Sequence, residues 1–238
     1  MRVEVLDHGY VELVETWGHG KCGNLDASPD MEAAIIEAAR QSTQGSFRGW
    51  AADENLLAYL FNNQHSTPFE FCGMTIEVQA PIFVFREWHR HRTQSYNEMS
   101  ARYSPLPDLY YRPSFTNVME RGQAASGNKQ ATGVEEFSSS YASVWTGYVK
   151  EFYESAERLY QGALKAGIPK ELARIVMPVG HYSRMRASAN LRNWLAFMTL
   201  RCDTRAQWEI QQYAGAVASI VQGHFPRTFE LWKKQNLR

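Results

Sequence analysis

The stretch FCGMTIEVQAPIFVFREWHRHR, residues 71–92, changes its hydrophobic period part-way along. In residues 71–80 the apolar Cys72, Met74, Ile76 and Val78 fall on alternate positions, which predicts a strand with one buried face. Pro81 can open a helix at its first turn, where its missing N–H costs nothing, and IFVFREWHRHR continues with helical spacing. The segment therefore predicts a strand feeding straight into a helix. The basic residues that follow straddle the helix end and the loop after it.

Working outward, MRVEVLDHGYVELVE at the start reads as a β-hairpin, with Val3 and Val5 on one arm, Tyr10, Glu12 and Val14 on the other, and His8-Gly9 between. Residues 29–42 and 53–64 are helical in composition, the first with Pro29 and Asp30 suited to a first turn, and Pro68 breaks any helix that reaches it. Residues 103–115 are rich in proline and tyrosine and read as extended or irregular, and residues 121–133 as a surface loop. From Glu135 to Ala166, apolar groups at Val144, Tyr148, Phe152, Ala156 and Leu159 predict one long amphipathic helix, or two joined end to end. KELARIVM predicts a short helix before Pro178, HYSRMRASA a strand, and Asn190 a cap for the helix LRNWLAFMTLR. A last helix is expected from Ala206 to Gln222, with Ile210, Ala214, Val217 and Val221 on one stripe. The expected class is α+β with helices dominating, in one large domain or two small ones.

Composition narrows the function. The 238 residues are 44% hydrophobic, enough for a sizeable core, and carry 25 basic against 25 acidic residues, so no global positive field draws the chain onto nucleic acid or an anionic membrane. No apolar run approaches the roughly 20 residues that span a bilayer, and the first residues lack a signal-peptide core, so a cytoplasmic protein is expected. Cys22, Cys72 and Cys202 lie far apart, which argues for buried thiols rather than disulfides or a zinc site.

Residues 90–103, RHRTQSYNEMSARY, concentrate Arg90, Arg92, Arg102 and His91 around short polar groups and Glu98. Arginine binds phosphate through a bidentate fork and keeps its charge, so the cluster points to an anionic ligand, a nucleotide first of all. On a helix, Arg90 and Arg92 would diverge to nearly opposite sides and serve two different anionic groups. If the chain runs extended after Tyr96, then Glu98, Ser100 and Arg102 share one face. The blander alternatives are a solvated basic surface or an RNA-binding patch using the Arg90–Arg102 segment, with nearby tyrosines as stacking platforms. A non-catalytic nucleotide-binding protein is a third. A metal at His89 and His91 fits poorly, because helical i,i+2 spacing separates the rings.

The pattern RHRxxSxNExSxRY, carried by Arg90, His91, Arg92, Ser95, Asn97, Glu98, Ser100, Arg102 and Tyr103, resembles the signature of flavin-dependent thymidylate synthases. LDHGYVELVE, HSTPFEF, APIFVFREW, ARIVMP and LRCDTRAQWEIQQYA resemble further family segments in the same order. The resemblance implies the family's own α+β fold, an antiparallel sheet with several long helices in a single domain over residues 1–238, and the methylation of dUMP to dTMP. It also implies 5,10-methylenetetrahydrofolate as carbon donor, NADPH as reductant and FAD as the hydride carrier, without a metal. Such chemistry needs no cysteine nucleophile, which suits three cysteines none of which sits in an obviously activating, basic setting, Cys202 beside Arg201 being the nearest exception.

By position, Arg201 resembles the arginine that stabilises the ionised uracil ring, and Ser100 a serine near the reacting carbon, more a positioning group than a nucleophile. Glu87, Trp88, His89, Arg90, Glu98, Met99, Ser100, Ala101, Arg102, Arg174 and Arg201 resemble dUMP contacts. Thr67, Arg90, His91, Arg92, Glu98, Asn190, Leu191 and Arg192 resemble FAD contacts, and His65 a histidine near flavin and folate. Four positions depart from the family's common pattern: Glu87 for glutamine, Phe71 for histidine, Ala196 for a polar flavin contact and Arg205 for histidine. The resemblance further implies a homotetramer whose active sites draw residues from several subunits.

Overall fold

Strand pairing sets the frame on which the signature hangs. In the computed structural model, which describes residues 1–18, 30–43, 45–121 and 138–236, five antiparallel strands form one sheet. Strands β1 (Arg2–Val5) and β2 (Gly9–Trp17) make the expected hairpin; β3 (Gly73–Pro81), β4 (Ser95–Glu98) and β5 (Tyr182–Asn190) complete the order β1-β2-β3-β5-β4. Short β4 is the edge, pairing Ser95 with Ser188 and Glu98 with Met185. Its position beside β5 draws the signature to the far side of the molecule from the hairpin.

Alternation decides which face is covered. Cys72, Met74, Ile76, Val78 and Ala80 are fully buried, as are Met185 and Ala187 of β5, while Arg184 and Arg186 between them are exposed. The apolar face packs on α7 (Leu191–Arg201) and α8 (Trp208–His224), whose Trp194, Phe197, Tyr213 and Val217 are sealed in the same core. The other face is polar. There Tyr10 donates to Glu77 at 2.8 Å, and Arg186 lies 3.7 Å from the same carboxylate.

The helices α1 (Ala33–Arg40) and α2 (Trp50–Asn62) occupy the two upstream helical segments, with α2 beginning earlier than residue 53 and Pro68 lying in a single 3₁₀ turn, Thr67–Glu70. Pro29 and residues 122–137 lie outside the described residues, and with them most of the expected loop over 121–133 and the first turn expected at Glu135. A short helix, α4 (Phe115–Glu120), follows the irregular tyrosine-rich segment, and α5 (Ser139–Lys165) is one continuous helix. Its expected stripe does not face the core: Val144, Tyr148, Phe152 and Leu159 are exposed, and only Ala156 of that set is buried. Amphipathic spacing marks an apolar face but not what covers it. Beyond α8 runs α9 (Pro226–Asn236), which Pro226 opens at its first position and whose Phe229 and Trp232 are buried.

Two details correct the reading of residues 81–104. Pro81 stays in β3, paired with Tyr182, and caps α3 (Ile82–Trp88), whose first donors, Ile82 and Phe83 N–H, go to the carbonyls of His181 and Val179. The helix then stops at Trp88 instead of running through Arg92. Arg90 N–H and His91 N–H close tight turns onto Glu87 and Trp88, because the chain must reverse to reach the edge of β5. The helical divergence expected of Arg90 and Arg92 therefore does not apply. Likewise β4 ends at Glu98, and Tyr103 and Ser104 N–H turn back onto the Ser100 carbonyl, so Glu98, Ser100 and Arg102 do not share a strand face.

Candidate active site

Three groups of residues gather around the signature. The first centres on Arg201, the last residue of α7, whose side chain is only 10% exposed. Its Nε donates to His91 Nε2 at 3.0 Å, its Nη2 to the Glu87 carbonyl at 2.8 Å, and its Nη1 pairs with the Glu87 carboxylate. Glu87 lies in the last turn of α3, where its carbonyl also accepts from Arg90 N–H, so Arg201 neutralises the side chain and adds a further donor to the backbone oxygen.

A guanidinium can only donate, so His91 Nε2 accepts and the neutral ring carries its proton on Nδ1. Burial, reinforced by the Arg201 charge, pushes the His91 pKa down to about 4, which keeps the ring neutral. Tyr96 fixes the same turn by donating to the His91 carbonyl at 2.7 Å, and burial raises its pKa to about 12. Beneath it, Trp88 is wholly buried, its ring tilted against Phe197 with centroids 4.5 Å apart and its indole N–H donating to Gln94 at 3.0 Å.

A second group lies at the other end of α7, about 14 Å away along the helix axis at 1.5 Å per residue. Asn190 caps the helix, its Oδ1 accepting from Asn193 N–H at 3.0 Å, as its residue type predicts. Gly73 makes room for it, since a Cβ there would sit 2.7 Å from the Asn190 Cα. The exposed Arg192 pairs with Glu70 and, with His65 and Ser66, borders a cavity of about 270 Å³ that Ala196 of α7 and Gln235 and Asn236 of α9 also line. Thr67 is exposed on the adjoining 3₁₀ turn.

The third group joins the end of the signature to α6 (Lys170–Ala173). Arg102 lies 3.6 Å from Glu171, Lys170 donates to the Tyr103 carbonyl at 2.8 Å, and exposed Arg174 follows at the end of α6. Ser100 Oγ accepts from Arg102 N–H at 3.3 Å, a local bond of a turn serine.

Other candidates separate by burial. Arg90, Arg92 and Glu98 are exposed and His89, Met99 and Ser100 half-buried, all available to a ligand. Trp88, Ala101 and Leu191 are buried, and the Trp88 and Leu191 side chains belong to the hydrophobic core. Of the departures, Phe71 is exposed and Arg205 folds onto Asp203 at 2.8 Å. Burial raises the thiol pKa of Cys72, and that of Cys202 to about 11, so neither is a thiolate at neutral pH; Cys22 lies outside the described residues. Among the described residues no group of three or more His, Cys, Asp or Glu is placed to hold a metal ion.

Sequence reasoning named Glu87, His91 and Arg201 but missed that they bond to one another. No local spacing marks a contact between residues 110 and 114 positions apart. Gln235 and Asn236 went unnoticed because α9 did.

A family model described as thymidylate synthase complementing protein matches residues 25–227. The chain belongs to this family. Curated relatives named flavin-dependent thymidylate synthase include that of Thermotoga neapolitana, 38% identical over 98% of this chain and 95% of that protein. That of Thermosipho melanesiensis is 36% identical over 100% of this chain and 96% of the relative. Among solved structures, the UMP/dUMP methylase PolB from Streptomyces cacaoi bound with 5-Br dUMP superposes with a TM-score of 0.81 at 30% identity, covering 98% of this chain and 97% of that one. The α+β architecture is thus that of the flavin-dependent thymidylate synthase family.

Proposed function

We propose that this family member makes dTMP by reductive methylation of dUMP, taking its carbon from 5,10-methylenetetrahydrofolate and its hydride from FAD reduced by NADPH. The observation that carries the proposal is the buried Arg201 guanidinium, held from three sides at the foot of the signature. A cation held in place in a largely water-excluded position stabilises negative charge developing on a pyrimidine ring. Arg90 and Arg102 of the signature and Arg174 just after α6 are exposed and supply charge for the nucleotide phosphate.

The donor set also suits a flavin dinucleotide. Exposed Arg90, Arg92 and Arg192 match a pyrophosphate, neutral His91 offers an Nδ1–H donor, and the cavity beside His65 accepts a flat ring system. When bound, FAD supplies the hydride chemistry that no side chain can. The protein's part is to bind, orient and polarise. No covalent nucleophile is needed: Cys72 and Cys202 are protonated, and Ser100 has no base bonded to it.

The cavity is too small for a whole dinucleotide, and the two ends of α7 are too far apart for one compact site, which supports active sites completed by other subunits. The exposed apolar stripe of α5, Val144, Tyr148, Phe152 and Leu159, with nearby Ile175, supports a homotetramer that buries it. We infer a cytoplasmic enzyme acting on free nucleotides. Among the described residues no helix is long and apolar enough to cross a membrane.

The test is the absorbance spectrum of the purified protein, then anaerobic addition of NADPH and dUMP with methylenetetrahydrofolate. A flavin spectrum, its bleaching and formation of dTMP are expected. A colourless protein that cannot be reconstituted with FAD refutes the proposal.

A further inference from the structure

The acid at position 87 is out of keeping with the task assigned to Arg201. A guanidinium that is to stabilise an anionic ring is instead neutralised by a carboxylate on its Nη1, within the same subunit. We propose that Glu87 is a displaceable counter-ion of Arg201: its carboxylate holds the fork in the ligand-free enzyme and is displaced by the pyrimidine ring, which sets the affinity for dUMP. The inference rests on the functional proposal above and concerns one residue within it.

Geometry permits the exchange. The Glu87 side chain is 38% exposed against 10% for Arg201, so the acid can swing toward water while the cation stays. Two of the three bonds that orient the guanidinium are independent of the carboxylate: Nη2 to the Glu87 backbone carbonyl at 2.8 Å and Nε to His91 at 3.0 Å. The carbonyl is fixed by α3, and His91 is fixed by its turn and by Tyr96. Loss of the carboxylate therefore unmasks the charge without releasing the side chain. Arginine keeps its proton in either state, so the switch is one of pairing rather than of titration.

Electrostatics give the direction. An ion pair presents roughly a dipole to an incoming ring, whereas the unmasked guanidinium presents a full charge. Separating a partly exposed pair is a cost met on binding, before chemistry, and so belongs in KM. Glu87→Gln keeps the shape and an amide oxygen to accept from Nη1 but removes the competing charge. Glu87→Ala removes the acceptor as well.

The experiment compares wild type, Glu87→Gln and Glu87→Ala as FAD-loaded full-length enzymes, measuring KM and kcat for dUMP, with far-UV circular dichroism and flavin content to confirm folding. Both variants are expected to show a KM for dUMP lower by about fivefold, the order of a partly exposed ion pair, with the change carried by KM. A merely structural role would lower flavin content and kcat instead. An unchanged or raised KM, or a tenfold fall in kcat, overturns the counter-ion assignment and makes Glu87 a direct substrate contact or a scaffold residue. Wild-type protein that neither binds FAD nor converts dUMP overturns the functional proposal and this inference with it.

Discussion

Neutral His91 makes the stability of the fold depend on pH in a window that can be stated in advance. Folded, its pKa falls from 6.5 to about 4, through burial first and the Arg201 charge second. Unfolded, the ring takes up a proton below about pH 6.5. Since the unfolded state binds more protons between these limits, the contribution is fully present above pH 6.5 and is lost as pH falls through 4. The full shift corresponds to about 3.4 kcal/mol at 1.36 kcal/mol per pH unit. The ring keeps some solvent contact, so screening reduces the expected loss to about 1–2 kcal/mol. Burial also raises the carboxyl pKa of Glu32 above its usual value, so the wild-type slope alone does not isolate His91. His91→Gln does, because its amide oxygen can accept from Arg201 Nε without titrating. Urea unfolding at fixed protein concentration, at pH 7.5, 6, 5 and 4.5, should show the stability gap between variant and wild type shifting by about 1–2 kcal/mol in the variant's favour as pH falls. Parallel pH profiles would refute both the neutral assignment and the Arg201 contact behind it.

Three further outcomes are expected. Arg201→Ala should retain bound FAD, seen in its absorbance, while kcat for dUMP falls by about 10²–10³, the cost of removing one preorganised charge stabiliser. Asn190→Ala removes the side-chain acceptor at the α7 N-terminus and should cost about 1 kcal/mol in urea unfolding. Phe152→Glu places a charge in the exposed stripe of α5 and should shift the proposed tetramer to smaller species on size-exclusion chromatography with light scattering, with activity falling alongside.

Local signals located most elements. The alternation of residues 71–80, the Asn190 cap and the hairpin at the N-terminus each depend on neighbours in the chain, and each was found within a few residues of its predicted place. Terminations were harder to read. That α3 ends at Trp88 depends on the edge of β5, about 100 residues later, which draws β4 into the sheet and turns the intervening chain. The direction in which α5 turns its apolar stripe depends on partners that no periodicity specifies.

The candidate site divides in the same way. The sequence by itself determined the family and the residue types of the site, because the signature is contiguous and its arginines, histidine and acid are chemically specific. Only the tertiary structure decided what those groups do to one another. Arg201 meets Glu87 and His91 across more than a hundred residues, Trp88 and Leu191 turn inward to the core, and His65 and Arg192 line one cavity at the opposite end of α7. Residue type fixes charge and hydrogen-bonding capacity. Burial and pairing, which decide whether a histidine is neutral or an arginine's charge is already spent, are properties of the packed chain.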